Sequence, residues 1–289
     1  MEHPLVVGVD GSDGSLTALD WAVDEAVRLH LPLRVVYASL WERYEGPVPS
    51  TNGEYLAEEA LAERVVASAG QRAGQRAPRL AVETVLAPED AVEALLAESR
   101  EAAAVITGAS GRGVVKELLL GSVSLAVAGR AHGPAVVVRG EERNLRGECG
   151  RVVVGVGAEE SAAAVRFALR EAEARGCELQ AVRAWRFPEQ EPLDRMSILD
   201  TQTQAHEDRA SAALAAALRE PHRAHPEVTV RHTTVEGPAH KALVRLSAEA
   251  DLLVLGAASR HGHRGLHLGR VAHRALHRAA CPVAVVPNR

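Results

Sequence analysis

Aromatic side chains are scarce in this sequence. Two Phe, three Tyr and three Trp make up 3% of the 289 residues, whereas 47% of the residues are hydrophobic and 25% are charged. Hydrophobic cores must therefore be built mainly from Val, Leu and Ala. The overall composition is that of an ordinary globular protein, and the length predicts two domains.

Cysteine is also scarce, and long apolar runs are missing. The three cysteines, Cys149, Cys177 and Cys281, are widely spaced and form no C-x-x-C pair. This argues against a disulfide framework and favours a reducing compartment. No apolar run approaches the roughly 20 residues of a membrane helix. The first residues lack the cationic and apolar regions of a signal peptide. We therefore expect a cytoplasmic protein with no membrane partner.

Charge is distributed unevenly around a net value of −5. Residues 1–140 carry 12 Lys and Arg against 19 Asp and Glu, a net of −7. Residues 141–289 carry 21 against 19, a net of +2, and hold 10 of the 13 histidines. The second half is too weakly basic to indicate nucleic-acid binding, so we predict none. The asymmetry suggests that the two halves have different ligands or partners.

Three segments of the first half recur in the second half after 147 or 148 residues, which indicates a duplicated domain. The repeated pairs are 4–12 with 151–159, 105–113 with 253–261, and 133–140 with 281–288. We predict a first domain at 1–140, a linker at 141–150 and a second domain at 151–289.

Short β-branched runs alternate with amphipathic segments in both copies. The first copy predicts strands near 5–9, 33–39, 80–86, 102–107 and 134–138, with helices between them. The second copy predicts strands near 151–156, 178–184, 227–234, 251–255 and 282–286. This alternation is typical of an α/β fold, a parallel sheet covered on both faces. Ligands of such folds bind at the carboxyl ends of the strands, where Asp10 and a glycine-rich loop are expected.

The glycine-rich loop reads TGASGRGVVKELLLGS from Thr107 to Ser122. Gly108, Gly111 and Gly113 let the backbone amides approach an anion closely. Gly121-Ser122 then opens a predicted helix whose N-terminal amides favour phosphate, and the hydroxyls of Ser122 and Ser124 can add hydrogen bonds. The loop is neither a Walker loop nor a dinucleotide fingerprint.

The spacing Gly108-x-x-Gly111, nine residues, then Gly121-Ser122 resembles the ATP-binding signature of the universal stress protein family. The resemblance covers nearly the whole chain and includes the segments VVGVDGS, LRVVYAS and PAVVV. It implies two tandem doubly wound parallel-sheet domains of the adenine nucleotide α-hydrolase-like type, with five strands each.

The resemblance also implies roles for residues of the first domain. Asp10 would contact the ribose or adenine beside Gly8 and Val9, and the backbone of Ala38 would pair with the adenine edge. The ribose and phosphates, with Mg²⁺, would be held by Gly108, Ala109, Gly111, Arg112, Gly113, Gly121, Ser122, Val123 and Ser124. Without the loop, Asp10 would be read as a turn carboxylate, since D-G-S is a common turn and cap sequence.

The second copy departs from this pattern at three positions. Gly157 stands in place of Asp10, Ser259 in place of Gly111, and Arg270 in place of Ser122. We interpret these changes as degeneration of the nucleotide site, with an altered anion site as the alternative, because Arg260, Arg264 and Arg270 could still attract an anion.

Histidines cluster in and after the second loop, at His261, His263, His267, His273 and His277. No carboxylate or cysteine accompanies them at ligand spacing and arginines interrupt them, so we predict a solvated face rather than a metal site.

We see no catalytic motif, and therefore assign no catalytic residue and expect at most a slow ATPase. The sequence favours an ATP-binding universal stress protein acting as a nucleotide-dependent regulator. Two alternatives remain: an ATP-using enzyme, such as a nucleotidyltransferase or pyrophosphatase-type ligase, and an interaction module with a vestigial site. The expected partners are an adenine nucleotide, a second copy in a homodimer, the paired domain of the same chain, and a regulatory protein.

Overall fold

The computed structural model describes residues 3–39, 52–109, 120–157, 161–186, 196–257 and 268–288. The chain divides into two compact units. Unit 1 is formed mainly by Met1–Arg139, and unit 2 by Gly140–Gly262 with His267–Arg289.

Unit 1 contains a five-stranded parallel sheet with the strand order β3-β2-β1-β4-β5. Its elements in chain order are β1 (Leu5–Gly8), α1 (Asp13–Leu29), β2 (Leu33–Ala38), α2 (Asn52–Arg76), β3 (Val82–Ala87), α3 (Ala91–Glu98), β4 (Ala104–Gly108), α4 (Ser122–Arg130) and β5 (Ala135–Val138).

Unit 2 repeats this arrangement with the strand order β8-β7-β6-β9-β10, again parallel. Its elements are α5 (Glu142–Leu145), β6 (Arg151–Gly155), α6 (Ala162–Arg175), β7 (Glu178–Trp185), α7 (Met196–Arg223), β8 (Val230–Glu236), α8 (Ala239–Leu246), β9 (Leu252–Gly256), α9 (Arg270–Arg278) and β10 (Val283–Val286).

Both faces of each sheet are covered by helices. In unit 1, α1 packs with α2 and α3 packs with α4, and each pair contacts the strands; in unit 2, α6 packs with α7 and α8 with α9. The central strand β4 is buried at every residue and the central strand β9 at every residue but its last, as expected for sheets covered on both sides. The predicted doubly wound α/β fold with five strands in each domain is therefore confirmed. Among the described residues, no helix is long and apolar enough to cross a membrane.

The first helix of each unit ends at a residue whose backbone is in the left-handed conformation, but the residue type differs between the units. His30 closes α1 with φ 56°, and Gly176 closes α6 with φ 60°. In both caps the backbone N–H groups return to carbonyls of the last turn. Gly176 adopts this conformation without strain, whereas a histidine side chain makes it costly.

The segment predicted as a linker is folded against unit 2. It contains the short helix α5, in which Asn144 is buried. The Asn144 side-chain amide donates to the carbonyls of Ser247, Ala248 and Ala250, and the Asp251 carboxylate accepts from the backbone N–H of Cys149 at 2.8 Å. Polar residues that read as a solvated linker in sequence thus make specific buried hydrogen bonds.

Candidate functional site

The strand order of unit 1 reverses between β1 and β4. The chain runs from β1 outward to β2 and β3, and then returns to β4 and β5 on the other side of β1. Parallel α/β sheets bind ligands at such a switch point, beyond the carboxyl ends of the strands. The segments that follow β1, β2 and β4 therefore define the candidate site.

Asp10 follows β1 and organises the turn into α1. Its Oδ1 accepts hydrogen bonds from the backbone N–H of Ser12 at 2.9 Å and from the Ser12 hydroxyl at 2.5 Å. Ser12 in turn caps α1 by accepting from the N–H of Ser15 at 3.2 Å. Asp10 thus has the turn role that its sequence context suggested. A carboxylate accepts several hydrogen bonds, so this role is compatible with contact to a nucleoside.

Gly108, at the end of β4, is required by the packing of α1. A Cβ atom at this position would lie 2.4 Å from the carbonyl oxygen of Gly14, in the first turn of α1. Backbone atoms cannot move away as a flexible side chain can. The structure therefore gives Gly108 a reason that is independent of any anion, namely the close approach of a helix to the sheet.

The two ends of the glycine-rich loop are tied together by hydrogen bonds. The N–H of Gly121 donates to the carbonyl of Ala109 at 2.7 Å, and the buried Ser124 hydroxyl donates to the carbonyl of Gly108 at 2.6 Å. Ala109 is itself fixed to β5 through its N–H and the carbonyl of Val138 at 3.0 Å. We expected the Ser124 hydroxyl to bond to a ligand, but its proton is donated to the Gly108 carbonyl within the protein.

Helix α4 begins at this closed loop without a side-chain cap. Gly121 is its N-cap residue and supplies no hydrogen-bonding side chain. The backbone N–H groups of Ser122, Val123 and Ser124 have no acceptor among the described residues. A helix N-terminus with free amides carries a partial positive charge and is suited to bind an anion.

The end of β2 presents a second set of free backbone groups. The backbone groups of alternate residues in a strand point to opposite neighbours. The N–H groups of Leu33 and Ser39 donate to the carbonyls of Ala81 and Ala87. Odd-numbered residues of β2 therefore bond on the β3 side, and even-numbered residues face β1. The last bond on that side joins the Val9 N–H to the Val36 carbonyl at 2.9 Å. Ala38 extends beyond it, so its N–H and carbonyl have no partner among the described residues. One donor and one acceptor of the same residue, on the same side of the strand, match the edge of a heterocyclic base.

The structure brings most of the predicted residues to one edge of the sheet. Gly8, Val9 and Asp10 follow β1, Ala38 ends β2, Gly108 and Ala109 end β4, and the last four begin α4: Gly121, Ser122, Val123 and Ser124. The remaining three, Gly111, Arg112 and Gly113, lie outside the described residues. The sequence did not identify the hydroxyl of Ser15, which accepts from the Asp10 N–H at 3.3 Å, as part of this edge.

The equivalent edge of unit 2 has the same backbone frame and different side chains. Gly157 follows β6, and its N–H donates to the Ser161 hydroxyl at 2.9 Å, as Asp10 does to Ser15. The Gly157 carbonyl accepts from the guanidinium of Arg183 at 2.5 Å. Arg270 begins α9, again without a side-chain cap. Ser259, Arg260 and Arg264 lie outside the described residues. The carboxylate of unit 1 is therefore replaced by positive charge in unit 2.

Of the clustered histidines, two lie in the described part of the chain. The rings of His273 and His277 on α9 are 4.6 Å apart between centroids. Within the described ranges, no group of three or more His, Cys, Asp or Glu side chains is arranged to hold a metal ion.

Comparison with known proteins agrees with the repeated fold. The family model described as the universal stress protein family matches residues 1–139 and again 149–287. Universal stress protein Rv2005c of Mycobacterium tuberculosis is 34% identical over 98% of this chain and 97% of its own length. Universal stress protein Rv1996 of the same organism is 32% identical over 97% and 94%. The crystal structure of a universal stress protein from Archaeoglobus fulgidus superposes with a TM-score of 0.68 over 99% of this chain and 98% of that one, at 18% identity.

Proposed function

The chain belongs to the universal stress protein family, as two tandem domains of that type, and on this premise we propose that it is an ATP-binding regulator of stress or dormancy responses. ATP is held in unit 1. The observation that carries the proposal is the arrangement of backbone groups at Ala38, Ser122 and Val123, which have no partner among the described residues, around the switch point that Asp10 occupies. Donors and acceptors at this edge are available to a polar ligand.

Each part of the nucleotide has a matching group in this site. The N–H and carbonyl of Ala38 pair with the adenine edge, and Asp10 accepts from the ribose hydroxyls, with Gly8 and Val9 beside it. The amides of Ser122, Val123 and Ser124 face the phosphates, and Gly121 begins the helix beside them, with its own N–H bonded to the Ala109 carbonyl. The loop residues Gly108, Ala109, Gly111, Arg112 and Gly113 complete the phosphate site. The fit is strongest at α4, because its free amides lie at the positive end of a helix dipole.

Mg²⁺ would accompany the phosphates and neutralise part of their charge. Such ions keep several water ligands and take oxygen ligands from the phosphates and one or two protein groups. The exposed side chain of Ser122 offers one such oxygen. The sequence offers no positioned base and no Walker-type carboxylate for hydrolysis, so we propose binding and release of ATP, rather than turnover, as the regulatory event.

The proposal is tested by calorimetry with the matched variants Asp10→Asn and Asp13→Asn. Asparagine at position 10 keeps an oxygen that can accept from Ser12, so the turn is preserved while the charge is lost. We expect ATP affinity to fall by roughly 10- to 150-fold, the loss of one charge-assisted hydrogen bond of about 1.5–3 kcal/mol. Asp13, exposed in the first turn of α1, serves as the control and should leave affinity unchanged. Equal ATP affinity in all three proteins would refute the site.

Nucleotide that co-purifies with the protein separates a working site from a vestigial one. Protein purified without added nucleotide is denatured, and the released small molecules are identified by mass spectrometry. We expect an adenine nucleotide near one equivalent per chain. Protein that contains none and fails to bind added ATP would favour an interaction module. Steady conversion of added ATP to product would favour the enzyme alternative.

The regulatory output requires partners. We propose a cytoplasmic homodimer that contacts a regulatory protein, in keeping with the absence of a disulfide among Cys149, Cys177 and Cys281. Light scattering with and without ATP tests the dimer: a mass of one chain, about 31 kDa, under both conditions would contradict it.

A further inference from the structure

Unit 2 contains a cavity of about 310 Å³ at the carboxyl end of β7. Its wall includes Ala184 and Trp185 at the end of β7, Arg186 just after them, His240 of α8, and Arg270 and Arg274 of α9. Ala184 is the counterpart of Ala38, because the Val156 N–H bonds to Val182 as the Val9 N–H bonds to Val36. The cavity thus occupies the place in unit 2 that the candidate nucleotide site occupies in unit 1.

The wall of this cavity is strongly basic. Arg186, Arg270 and Arg274 are exposed, and none of them has an ion-pair or hydrogen-bond partner among the described residues. No Asp or Glu belongs to the described part of the wall. In contrast, Arg34, Arg72 and Arg151 elsewhere in the protein are each paired with carboxylates. Three unpaired guanidinium groups around one concave space repel each other and favour a bound anion.

Two further groups add to the positive potential. Helix α9 begins at Arg270, a residue of the wall. Its N-cap residue Gly269 makes no side-chain cap, so the positive end of the helix dipole lies beside the cavity. Partial burial lowers the pKa of His240, and the positive charges of Arg274, Arg186, Lys241 and Arg270 lower it further. A bound anion offsets these positive charges and so favours the protonated imidazole.

The chemistry beside the cavity argues against recognition of a nucleoside. The volume of about 310 Å³ lies within the range of roughly 300–1,000 Å³ for small-molecule pockets, so the wall chemistry decides which ligand fits. Gly157 supplies no carboxylate for ribose hydroxyls, and its carbonyl is occupied by Arg183. Guanidinium groups bind phosphate oxygens in pairs of parallel hydrogen bonds, and an oligophosphate offers several such oxygens in a compact chain.

We propose that this cavity binds a compact oligophosphate chain through its phosphate groups alone, without recognition of a nucleoside. The three arginines and the α9 N-terminus supply the binding contacts, and His240 couples binding to proton uptake. Unit 2 is then a sensor of polyanions, distinct in ligand chemistry from the ATP site proposed for unit 1.

In the first experiment the full chain is titrated with sodium tripolyphosphate. Binding is measured by calorimetry and by the fluorescence of Trp185, which lies in the cavity wall. The matched variants are Arg274→Ala and Arg278→Ala, two exposed arginines one turn apart on α9. Each removes one positive charge, but Arg278 is not part of the wall. We expect Arg274→Ala to weaken binding about tenfold or more and Arg278→Ala to leave it unchanged. Absence of binding, or an equal effect of both variants, would overturn the proposal.

A second experiment separates free oligophosphate from the phosphate tail of a nucleotide. Tripolyphosphate, ATP and AMP are compared in the Asp10→Asn variant, with Arg274→Ala introduced to identify the binding that belongs to the cavity. We expect tripolyphosphate and ATP to bind the cavity within about tenfold of each other, and AMP to bind far more weakly. Cavity binding of ATP that exceeds that of tripolyphosphate by more than this would show nucleoside recognition and contradict the proposal.

The third experiment tests the proton. Because a bound anion favours protonated His240, affinity for tripolyphosphate should rise as the pH falls from 8 to about 6. His240→Gln removes the titrating group and should flatten this rise, while protonation of the ligand itself affects both proteins equally. The same pH profile in wild type and His240→Gln would exclude His240 from the coupling.

Discussion

The same backbone hydrogen bonds frame the ligand edge in units 1 and 2, but the side chains there have opposite charge. The N–H of Ala109 bonds to Val138 in unit 1, and that of Ala257 bonds to Val286 in unit 2. In both units a serine hydroxyl accepts the N–H two residues beyond the first strand. Over this shared frame, unit 1 presents a carboxylate and unit 2 presents guanidinium groups.

The comparison shows which part of such a site is free to change. The frame is made by backbone groups, which are the same for any residue, so substitutions at the edge leave the sheet intact. Arg183 occupies the position in β7 that Tyr37 occupies in β2, as the registers Gly155 with Val182 and Gly8 with Val36 show. Ligand chemistry can therefore diverge between the units while their fold is kept.

The largest expected effect on binding comes from the two loops that the comparison aligns. Gly111→Val in the first loop should abolish ATP binding with secondary structure intact, because a branched side chain fills the approach to the phosphates. Ser259→Val, at the aligned position of the second loop, is the matched control and should leave ATP affinity unchanged. Calorimetry and circular dichroism measure both quantities. Retained ATP binding by Gly111→Val would break the assignment of ATP to unit 1.

The next effect is on stability. Gly108→Ala should lower the free energy of unfolding by about 3 kcal/mol, since its Cβ would lie 2.4 Å from the Gly14 carbonyl oxygen. Gly74→Ala in α2 has no atom within 4 Å of the added Cβ and should raise stability by about 0.5–1 kcal/mol. Urea unfolding of both variants compares them. A neutral Gly108→Ala would show that α1 can shift away from the sheet.

A gain of function would sharpen the contrast between the units. Gly157→Asp, Arg183→Tyr, Ser259→Gly and Arg270→Ser together restore the residues of unit 1 in unit 2. We expect ATP affinity in unit 2 to rise by roughly 10- to 150-fold, the value of the regained charge-assisted contact. Gly157→Asp alone is the control and should gain less, because the new carboxylate pairs with Arg183. If the combined variant binds ATP in unit 2 no better than wild type, these positions do not account for the asymmetry.

The smallest effect concerns the two left-handed helix caps. His30→Gly should stabilise the protein by about 0.5–1 kcal/mol, because glycine adopts a positive φ without the steric cost that histidine incurs. Gly176→Ala should destabilise it by a similar amount for the same reason. Thermal unfolding measures both. A His30→Gly variant less stable than wild type would mean that the histidine side chain contributes a contact beyond its backbone geometry.

Much of the fold could be predicted from the sequence because the strands are buried on both faces. The runs of β1 and β4 contain no polar residue except Thr107, and their repetition after 147 or 148 residues marks two equivalent domains. The family resemblance assigned Asp10 and Ala38 to the nucleotide site, because each lies at the end of a predicted strand. In the structure Asp10 makes the turn contacts that its D-G-S context predicts, and Ala38 ends β2; their contact with a nucleotide stays a prediction.

The remaining features depend on contacts that spacing cannot show. Asn144 bonds to Ser247 and Cys149 bonds to Asp251, each across about a hundred residues of chain, so the polar run before β6 gave no sign of burial. Gly108 appears in a phosphate-loop pattern, yet its packing against Gly14 is visible only once α1 is in place. The basic cavity combines Arg186, His240 and Arg274 from three separate elements, and only Arg270 stood out in the sequence.

The central claim is that ATP binds tightly at one site per chain, in unit 1. It is tested most directly by calorimetric titration of wild type and Asp10→Asn with ATP, at an ionic strength high enough to screen weak binding of phosphate at exposed arginines. The account predicts one tight ATP per chain, weakened by roughly 10- to 150-fold in the variant. Two equivalent tight sites per chain, or one tight site that Asp10→Asn leaves unchanged, would contradict it.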